Sequence, residues 1–339
     1  MIEPGPQARY TARGFQLLKL EPHLHTLHSD GQDGVPAMLE ACREAGYDAV
    51  ALTDHNTNSG VAEAIEVADR LGLILLPGVE VTTFRGHAVV LGVGTVPEWR
   101  DLEARGMDDL AARVRGEGGL LSVAHPAALG SPACSGCAWE WSIDPASVDL
   151  WEVFSAPRPH AEVPFALWRD MLSRGVHVAP VAAGDVHSRA AAARPRAATY
   201  LYARERSRAG VLEALRERRV SAYSGETLAL VLERAGGDVA LLGEAVGGSG
   251  WVAHASAGAT VETVSIAAHR RAVYATRRTA QGELEGVTAP IWIETSHCDD
   301  TSVRALSVSV QSPASSGPAT RPGVASRGPT TSSWRGACR

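Results

Sequence analysis

The sequence predicts an α/β fold with a mostly parallel sheet or barrel, followed by a smaller β-rich region. Between about residues 16 and 225, short apolar runs alternate with stretches of helical period, the pattern of repeated strand–helix units. Several apolar runs lack polar alternation and are bounded by Gly and Pro, which is typical of strands buried on both faces. After about residue 226, short strand-like runs separated by Gly-rich or polar turns replace the helical stretches.

The predicted elements follow in strand-then-helix order. The apolar runs that predict strands are 50–52, 73–76, 120–123, 151–154, 178–181 and 220–223. The stretches with helical spacing are 35–45, 61–71, 99–115, 165–173 and the segment around 211–215. Gly46 directly follows the first of them, and Gly175 follows 165–173 after one residue, as expected for glycines that end a helix. Short strands are predicted at 228–233, 261–267, 272–276 and 291–295.

Length and composition indicate how the chain divides into domains and which partners it is expected to bind. We divide the 339 residues into an N-terminal segment 1–18, a main domain 19–226, a β-rich appendage 227–297 and a tail 298–339. The tail is mostly Ser, Thr, Pro, Gly, Ala and Arg, so we expect it to be disordered. The net charge of −6 gives no basic surface for nucleic acid. Without a secretion signal or a membrane-spanning run, we expect a cytoplasmic protein of unknown oligomeric state.

Residues of metal-ligand type recur where the predicted strands end. His23 and His25 are two positions apart, which places both imidazoles on one face of a strand. Because the ends of parallel strands meet at one end of a sheet or barrel, these side chains are expected to converge. The potential ligands are His23, His25, Asp30, His55, Glu80, His87, His125, Asp185 and His187. Mixed nitrogen and oxygen donors favour Zn, Mn or Fe over Ca or Mg, and nine ligands suffice for three divalent ions.

This set of motifs resembles the PHP superfamily, named for its polymerase and histidinol phosphatase members. The matching segments are 23–31, 51–56, 77–80, 124–126 and 184–187. The resemblance implies a distorted seven-stranded β/α barrel with a trinuclear metal centre at the strand ends. It also implies a ligand assignment: His23, His25, Glu80 and Asp185 for one ion, Glu80, His87 and His125 for the second, and Asp30, His55 and His187 for the third.

A narrower resemblance points to the branch of this superfamily that contains carbaryl hydrolase. It rests on three segments: Gly86-His87-Ala88, a Trp168-to-Gly175 pattern, and the stretch 194–200. Ser155 and the Ala182-Ala183 pair depart from the pattern of relatives. These departures concern the substrate rather than the metal centre.

Three further residues are candidates for the chemistry. Asp54 precedes His55 and is expected to orient a ligand or close a turn. Glu152 lies in a predicted strand and either contacts the site or forms a salt bridge at the strand end. Arg158 follows in the next loop and could clamp a phosphate. Cys134 and Cys137 are interpreted as loop cysteines near the mouth of the site, without a metal or redox role.

The leading functional hypothesis is a metal-dependent phosphoesterase that acts on a small molecule or nucleotide with a metal-activated water. A carbamate or carboxylic ester hydrolase is the enzymatic alternative, which an apolar cleft near Trp139 and Trp141 would favour. A non-catalytic metal-binding module is the alternative from another class. An amidohydrolase that uses a carbamylated lysine is excluded, because the one lysine, Lys19, precedes the first motif.

Overall fold

The computed structural model describes residues 5–155, 161–194, 197–223, 227–267, 270–294 and 308–310. The strands of the N-terminal two thirds are β1 Gln16–Glu21, β2 Ala49–Leu52, β3 Ile74–Thr83, β4 Gly86–Leu91, β5 Leu120–Val123, β6 Leu150–Ser155, β7 Ala179–Ala183, β8 Ala198–Ala203 and β9 Val220–Tyr223. Those that follow are β10 Leu230–Arg234, β11 Val239–Ala240, β12 Ala245–Gly247, β13 Trp251–Ala255, β14 Thr260–Ala267, β15 Arg270–Arg278, β16 Leu284–Thr288, β17 Ile291–Glu294 and β18 Val308–Val310.

Helices separate most of the early strands, as the apolar spacing predicts. They are α1 Pro6–Ala12, α2 Val35–Glu44, α3 Val61–Leu71, α4 Leu102–Arg105, α5 Met107–Gly116, α6 Glu162–Ser173, α7 Arg189–Ala192 and α8 Arg208–Arg216. The single helix predicted over 99–115 is wrong. Gly106 adopts a φ of 82° between α4 and α5, a conformation that ends a right-handed helix and that glycine tolerates best.

The strand order brings the carboxyl ends of the early parallel strands close together. β1, β2 and β3 pair in parallel, β4 lies antiparallel between β3 and β5, and β5, β6 and β7 are again parallel. β8 pairs antiparallel with the other edge of β1. The mixed α/β fold is therefore confirmed. The described strands do not form one closed ladder, because β7 meets β8 through the Thr199 hydroxyl, which exchanges hydrogen bonds with the Ala182 backbone.

Burial on both faces explains why these strands read as continuous apolar runs. In β2, Ala49 and Ala51 belong to an inner cluster that also holds side chains from β1 and β3 through β8. The alternate residues Val50 and Leu52 pack instead with α2 and α3. The sheet thus curls around one core and carries helices on its other face, the arrangement expected of parallel strands joined by helical crossovers.

The β-rich region continues this sheet rather than standing apart from it. β16 pairs antiparallel with β9, and β15 joins β14, β16 and β17. A second sheet has the order β11-β10-β13-β18. Most of the predicted disordered tail lies outside the described residues, and its described part, β18, pairs in parallel with β13.

The short helix α1 fastens the β-rich region to the main sheet. The Tyr10 ring stacks on Tyr202 of β8 at 3.6 Å between ring centroids. Its hydroxyl donates a hydrogen bond to the Leu230 carbonyl at 2.8 Å and accepts one from the Leu242 amide at 3.1 Å. Among the described helices, none is long and apolar enough to cross a lipid bilayer.

A buried carboxylate ties the ends of β1 and β7 together. One oxygen of Glu21 accepts hydrogen bonds from the backbone amides of His23 at 3.1 Å and Gly184 at 2.8 Å. Its other oxygen accepts one from the Tyr47 hydroxyl at 3.1 Å. Glu21 is completely buried, and this burial raises the pKa of its carboxyl group to about 7. Two chain segments that carry predicted ligands are thereby held at a fixed separation.

We expect Glu21→Ala to lower the free energy of unfolding by roughly 2–5 kcal/mol, because buried donors lose their acceptor. Glu21→Gln should cost clearly less, since one amide oxygen can still accept from both backbone amides. Urea denaturation of the two variants and the parent protein measures the difference. Equal destabilisation by both substitutions would contradict this account of Glu21.

Candidate metal centre

The predicted ligand residues converge at the carboxyl ends of the parallel strands and in the adjoining loops. Two isolated parallel bridges, Leu24 with Val186 and His55 with Glu80, extend the pairing past the ends of the regular strands. The first sets the His23–His25 segment beside the Asp185–His187 segment, with the His25 amide donating to the Val186 carbonyl at 2.8 Å. Ligands that are up to 164 positions apart in sequence therefore share one small volume.

The Glu80 carboxylate lies at the centre of this volume. Its Oε2 is 3.2 Å from His23 Nε2, 3.3 Å from His25 Nε2 and 2.9 Å from His55 Nδ1. Its Oε1 is 3.0 Å from His87 Nδ1 and 3.1 Å from His125 Nε2. The Glu80 side chain is only 1% exposed. A carboxylate with both oxygens among imidazoles is placed to bridge two cations.

Asp185 and Asp30 extend the cluster in two directions. Asp185 Oδ1 lies 3.5 Å from His23 Nε2 and 3.3 Å from His25 Nε2. Asp30 Oδ1 lies 3.4 Å from His55 Nε2 and 3.2 Å from His187 Nε2. The Asp30 side chain is 57% exposed, so this side of the cluster is open to solvent.

Three overlapping groups have the separations that a metal ion requires. In each group the ligand atoms lie within 4.8 Å of one another. The groups are His23, His25 and Asp185; His55, Glu80 and His87; and His25, Asp30, His55 and His187. All nine predicted ligands thus come together, with His125 joined to the second group through Glu80.

Unsatisfied polar atoms show that the donor set fits metal ions. Buried polar side-chain atoms in proteins normally have a hydrogen-bond partner. Here several buried ligand atoms have none: His23 Nε2, both ring nitrogens of His25, Glu80 Oε2, His87 Nε2 and His125 Nδ1. Unpaired imidazole nitrogens concentrated around one carboxylate are the expected pattern for a site whose partners are cations.

The electrostatics of the cluster are strongly coupled. Burial raises the pKa of Glu80, but the neighbouring imidazoles of His23, His125 and His55 outweigh it and hold that pKa well below its usual range. Asp185 shows the same balance: burial opposes ionisation, His23 and His25 favour it, and its pKa is lowered. Burial lowers the pKa of His25. The carboxylates therefore remain ionised at the centre, ready to bind cations.

Glu152 lies directly behind the ligands. Its Oε1 is 2.9 Å from His23 Nδ1, and its Oε2 accepts hydrogen bonds from the His125 amide and the Ser155 hydroxyl, both at 2.7 Å. A carboxylate beside Nδ1 fixes the ring tautomer and leaves Nε2 available to a metal. Of the two possibilities left open for Glu152, contact with the site is the one observed.

Asp54 and Arg158 occupy different positions. Asp54 is buried and accepts hydrogen bonds from the Thr26 amide and hydroxyl, each at 2.8 Å, and from the Ser29 hydroxyl at 2.6 Å. It thus braces the loop between His25 and Asp30. Arg158 lies outside the described residues, so its predicted role stays a prediction.

Backbone strain and a buried acid mark the site further. Asn56, His125 and Asp185 have positive φ values of 53°, 30° and 45°, a conformation that costs energy for side chains other than glycine and often occurs at functional sites. Glu21 was missed by the sequence analysis, although strand alternation places it on the same face as His23 and His25. Cys134 and Cys137 form a disulfide, a pairing that the sequence analysis did not include.

Comparisons with known proteins agree with this geometry. Residues 21–115 match the model of the PHP domain. A stretch of 76 residues is 37% identical to phosphoribosyl 1,2-cyclic phosphate 1,2-diphosphodiesterase of Eggerthella lenta, covering 21% of this chain and 29% of that protein. A second alignment, over 129 residues, is 26% identical to an uncharacterised protein of Methanocaldococcus jannaschii and covers 34% of this chain and 71% of that one. The chain therefore matches less than a third of the length of the Eggerthella enzyme.

A solved structure shares the wider architecture. It is a two-domain protein of Bacteroides vulgatus that contains a predicted PHP-like metal-dependent phosphoesterase. The likeness has a TM-score of 0.53 at 20% identity and covers 78% of this chain and 77% of that one. At this identity the likeness concerns the fold alone. Within this shared fold, the segment that matches the model of the PHP domain is residues 21–115.

Proposed function

We propose that this protein is a metal-dependent phosphoesterase that hydrolyses a small phosphoester at a centre of up to three divalent ions. The observation that carries the proposal is the Glu80 carboxylate, which has five imidazole nitrogens within 3.3 Å. The Eggerthella enzyme, named as a cyclic phosphate diphosphodiesterase, supports phosphoester chemistry. We also propose that the curled sheet corresponds to the distorted seven-stranded barrel of the family.

Each part of the cluster has a separate task in this proposal. Zn, Mn or Fe ions would supply Lewis acidity, lowering the pKa of water and neutralising phosphate charge. His23, His25, Glu80 and Asp185 would hold one ion, Glu80, His87 and His125 a second, and Asp30, His55 and His187 a third. Glu152 keeps the His23 ring in the ligating tautomer, and the Asp54 loop holds Asp30 near its partners.

The exposure gradient indicates where substrate enters. His23, His25 and Glu80 are buried, whereas the Asp30, His55 and His187 side chains are 57%, 22% and 32% exposed. An incoming phosphoester thus meets the Asp30 side first.

We keep carbamate or carboxylic ester hydrolysis as the alternative reaction, together with a place near the carbaryl-hydrolase branch. Simple metal binding without catalysis is the alternative outside the enzymes.

We expect the purified protein to hydrolyse p-nitrophenyl phosphate or bis(p-nitrophenyl) phosphate in the presence of Mn or Zn, and to do so better than p-nitrophenyl acetate. His55→Ala should lower this rate by more than about 100-fold, because even the loss of an outer partner of a metal ligand costs about 10–100-fold. His254→Ala, at a histidine of β13 away from the cluster, serves as the matched control. Faster turnover of the acetate would favour the carboxylic ester alternative, and no turnover of any ester would leave only metal binding.

Metal content provides a second, independent measurement. We expect inductively coupled plasma mass spectrometry to find close to three divalent ions per chain in protein purified without chelator. Asp30→Asn should lower the content by one ion, because this carboxylate belongs to one of the three groups, the one that it forms with His25, His55 and His187. Fewer than two ions per chain in the parent protein would overturn the trinuclear assignment.

The contact between Glu152 and His23 predicts a positioning effect. Glu152→Gln should weaken metal affinity by about 10–100-fold, since an outer carboxylate raises the basicity of the imidazole it contacts. Competition with a metal-binding dye measures the affinity without any assay of activity. Glu140→Gln, at a surface residue, is the control. Unchanged affinity in Glu152→Gln would mean that the Glu152–His23 contact is not used in metal binding.

A further inference from the structure

A cavity of about 680 Å³ lies beside the metal-ligand cluster, and the two share a residue. His125, which contacts Glu80 at 3.1 Å, lines one part of the cavity. Ser155 also lines it and is hydrogen-bonded to Glu152. The cavity volume lies within the range of about 300–1,000 Å³ that is usual for small-molecule sites. It therefore provides room next to the cluster for more than a phosphate group.

The rest of the described wall is apolar. Val153 contributes from β6, Val163 and Pro164 from the first turn of α6, and Ala128 and Leu129 from the loop after His125. The disulfide-bonded Cys134 also lines the cavity. The cavity thus has ionisable or polar groups on the side of the cluster and hydrocarbon on the other sides.

Two of these apolar residues are unusually exposed. Leu129 is 74% and Val163 is 56% exposed, although they belong to separate segments and line the same cavity. Large apolar side chains brought together at the surface of a concave site commonly mark a binding surface. An apolar cleft lined by Trp139 and Trp141 would have favoured the carboxylic ester alternative, but neither residue lines this cavity. Trp141 is buried and donates a hydrogen bond to the Thr83 hydroxyl at 2.9 Å, and Trp139 is partly buried and packs against the core.

We propose that this cavity is the subsite for the organic group of the substrate and that it selects phosphoesters with a bulky apolar group, such as an aryl or branched alkyl ester. The inference rests on the proposed phosphoesterase function and adds the substrate class to it. The phosphate of such a molecule lies at the metal cluster next to His125. Its apolar group lies against Val153, Val163 and Leu129, where burial of hydrocarbon favours binding.

The test compares two stable phosphonates that differ only in their organic group. Phenylphosphonate and methylphosphonate both present a phosphonate to the metal cluster, but only the first can fill the cavity. With the metal-loaded protein, calorimetric titration should give a Kd at least about tenfold lower for phenylphosphonate, equivalent to about 1.4 kcal/mol. The heat capacity change should also be more negative for phenylphosphonate, the marker of apolar burial.

Variants of two cavity residues and one matched control link this preference to the cavity. Val163→Asn and Leu129→Asn should reduce the phenyl-to-methyl preference at least threefold while leaving methylphosphonate binding unchanged. Leu167→Asn is the control, because Leu167 is also an exposed apolar residue of α6, at 44% exposure, one turn after Val163. As all three positions are exposed, the variants should unfold at the same temperature as the parent protein.

The outcomes separate this inference from the proposed function. Equal affinity for both phosphonates, or an equal loss of preference in the Leu167→Asn control, would overturn the apolar subsite. If phosphoesters are hydrolysed under either of these outcomes, the proposed function still holds. If no phosphoester is hydrolysed and neither phosphonate binds, the proposed function fails and the inference fails with it.

Discussion

The site depends on one interaction, the burial of the Glu80 carboxylate among five imidazoles. A buried charge is costly unless it is paired, and here the pairing groups come from β4 and from the segments after β1, β2 and β5. Satisfying Glu80 therefore requires several strand ends to be at their correct positions at the same time. The fold and the site are coupled through this requirement, because a displaced strand would leave an anion or an imidazole buried without a partner.

A second set of carboxylates maintains that arrangement from behind. Glu21 holds the backbone of β1 near Gly184, Glu152 holds the His23 ring and the His125 backbone, and Asp54 holds the loop that carries Asp30. Each accepts at least one hydrogen bond from a backbone amide, so its effect is to place a segment as well as a side chain. The positive φ values of His125 and Asp185 are consistent with this, because such conformations persist only where the surroundings enforce them.

Most of the cluster could be predicted from the sequence because ligand type and strand position are local signals. His23 and His25 alternate on a strand, and Glu80 and His125 each follow or end an apolar run. The break at Gly106 was not predicted, since an isolated glycine within a helical pattern is often tolerated. The hydrogen bonds of Glu21 were not predicted either, because its partner Gly184 is 163 positions away in sequence. The continuity of β9 with β16 depends on the same kind of long-range pairing, which residue spacing does not encode.

The cavity beside His125 refines the choice between phosphate and carboxylic esters. An apolar wall alone would suit either kind of ester, since hydrocarbon burial does not depend on the acid that is esterified. The metal-ligand cluster would distinguish them, because the cations proposed for it would favour a substrate that brings its own negative charge. In the proposed arrangement, the charge of a phosphoester with an apolar group would face the cluster, and its hydrocarbon would face Val163 and Leu129. A neutral carboxylic ester would use the apolar wall but would gain less from the proposed cations.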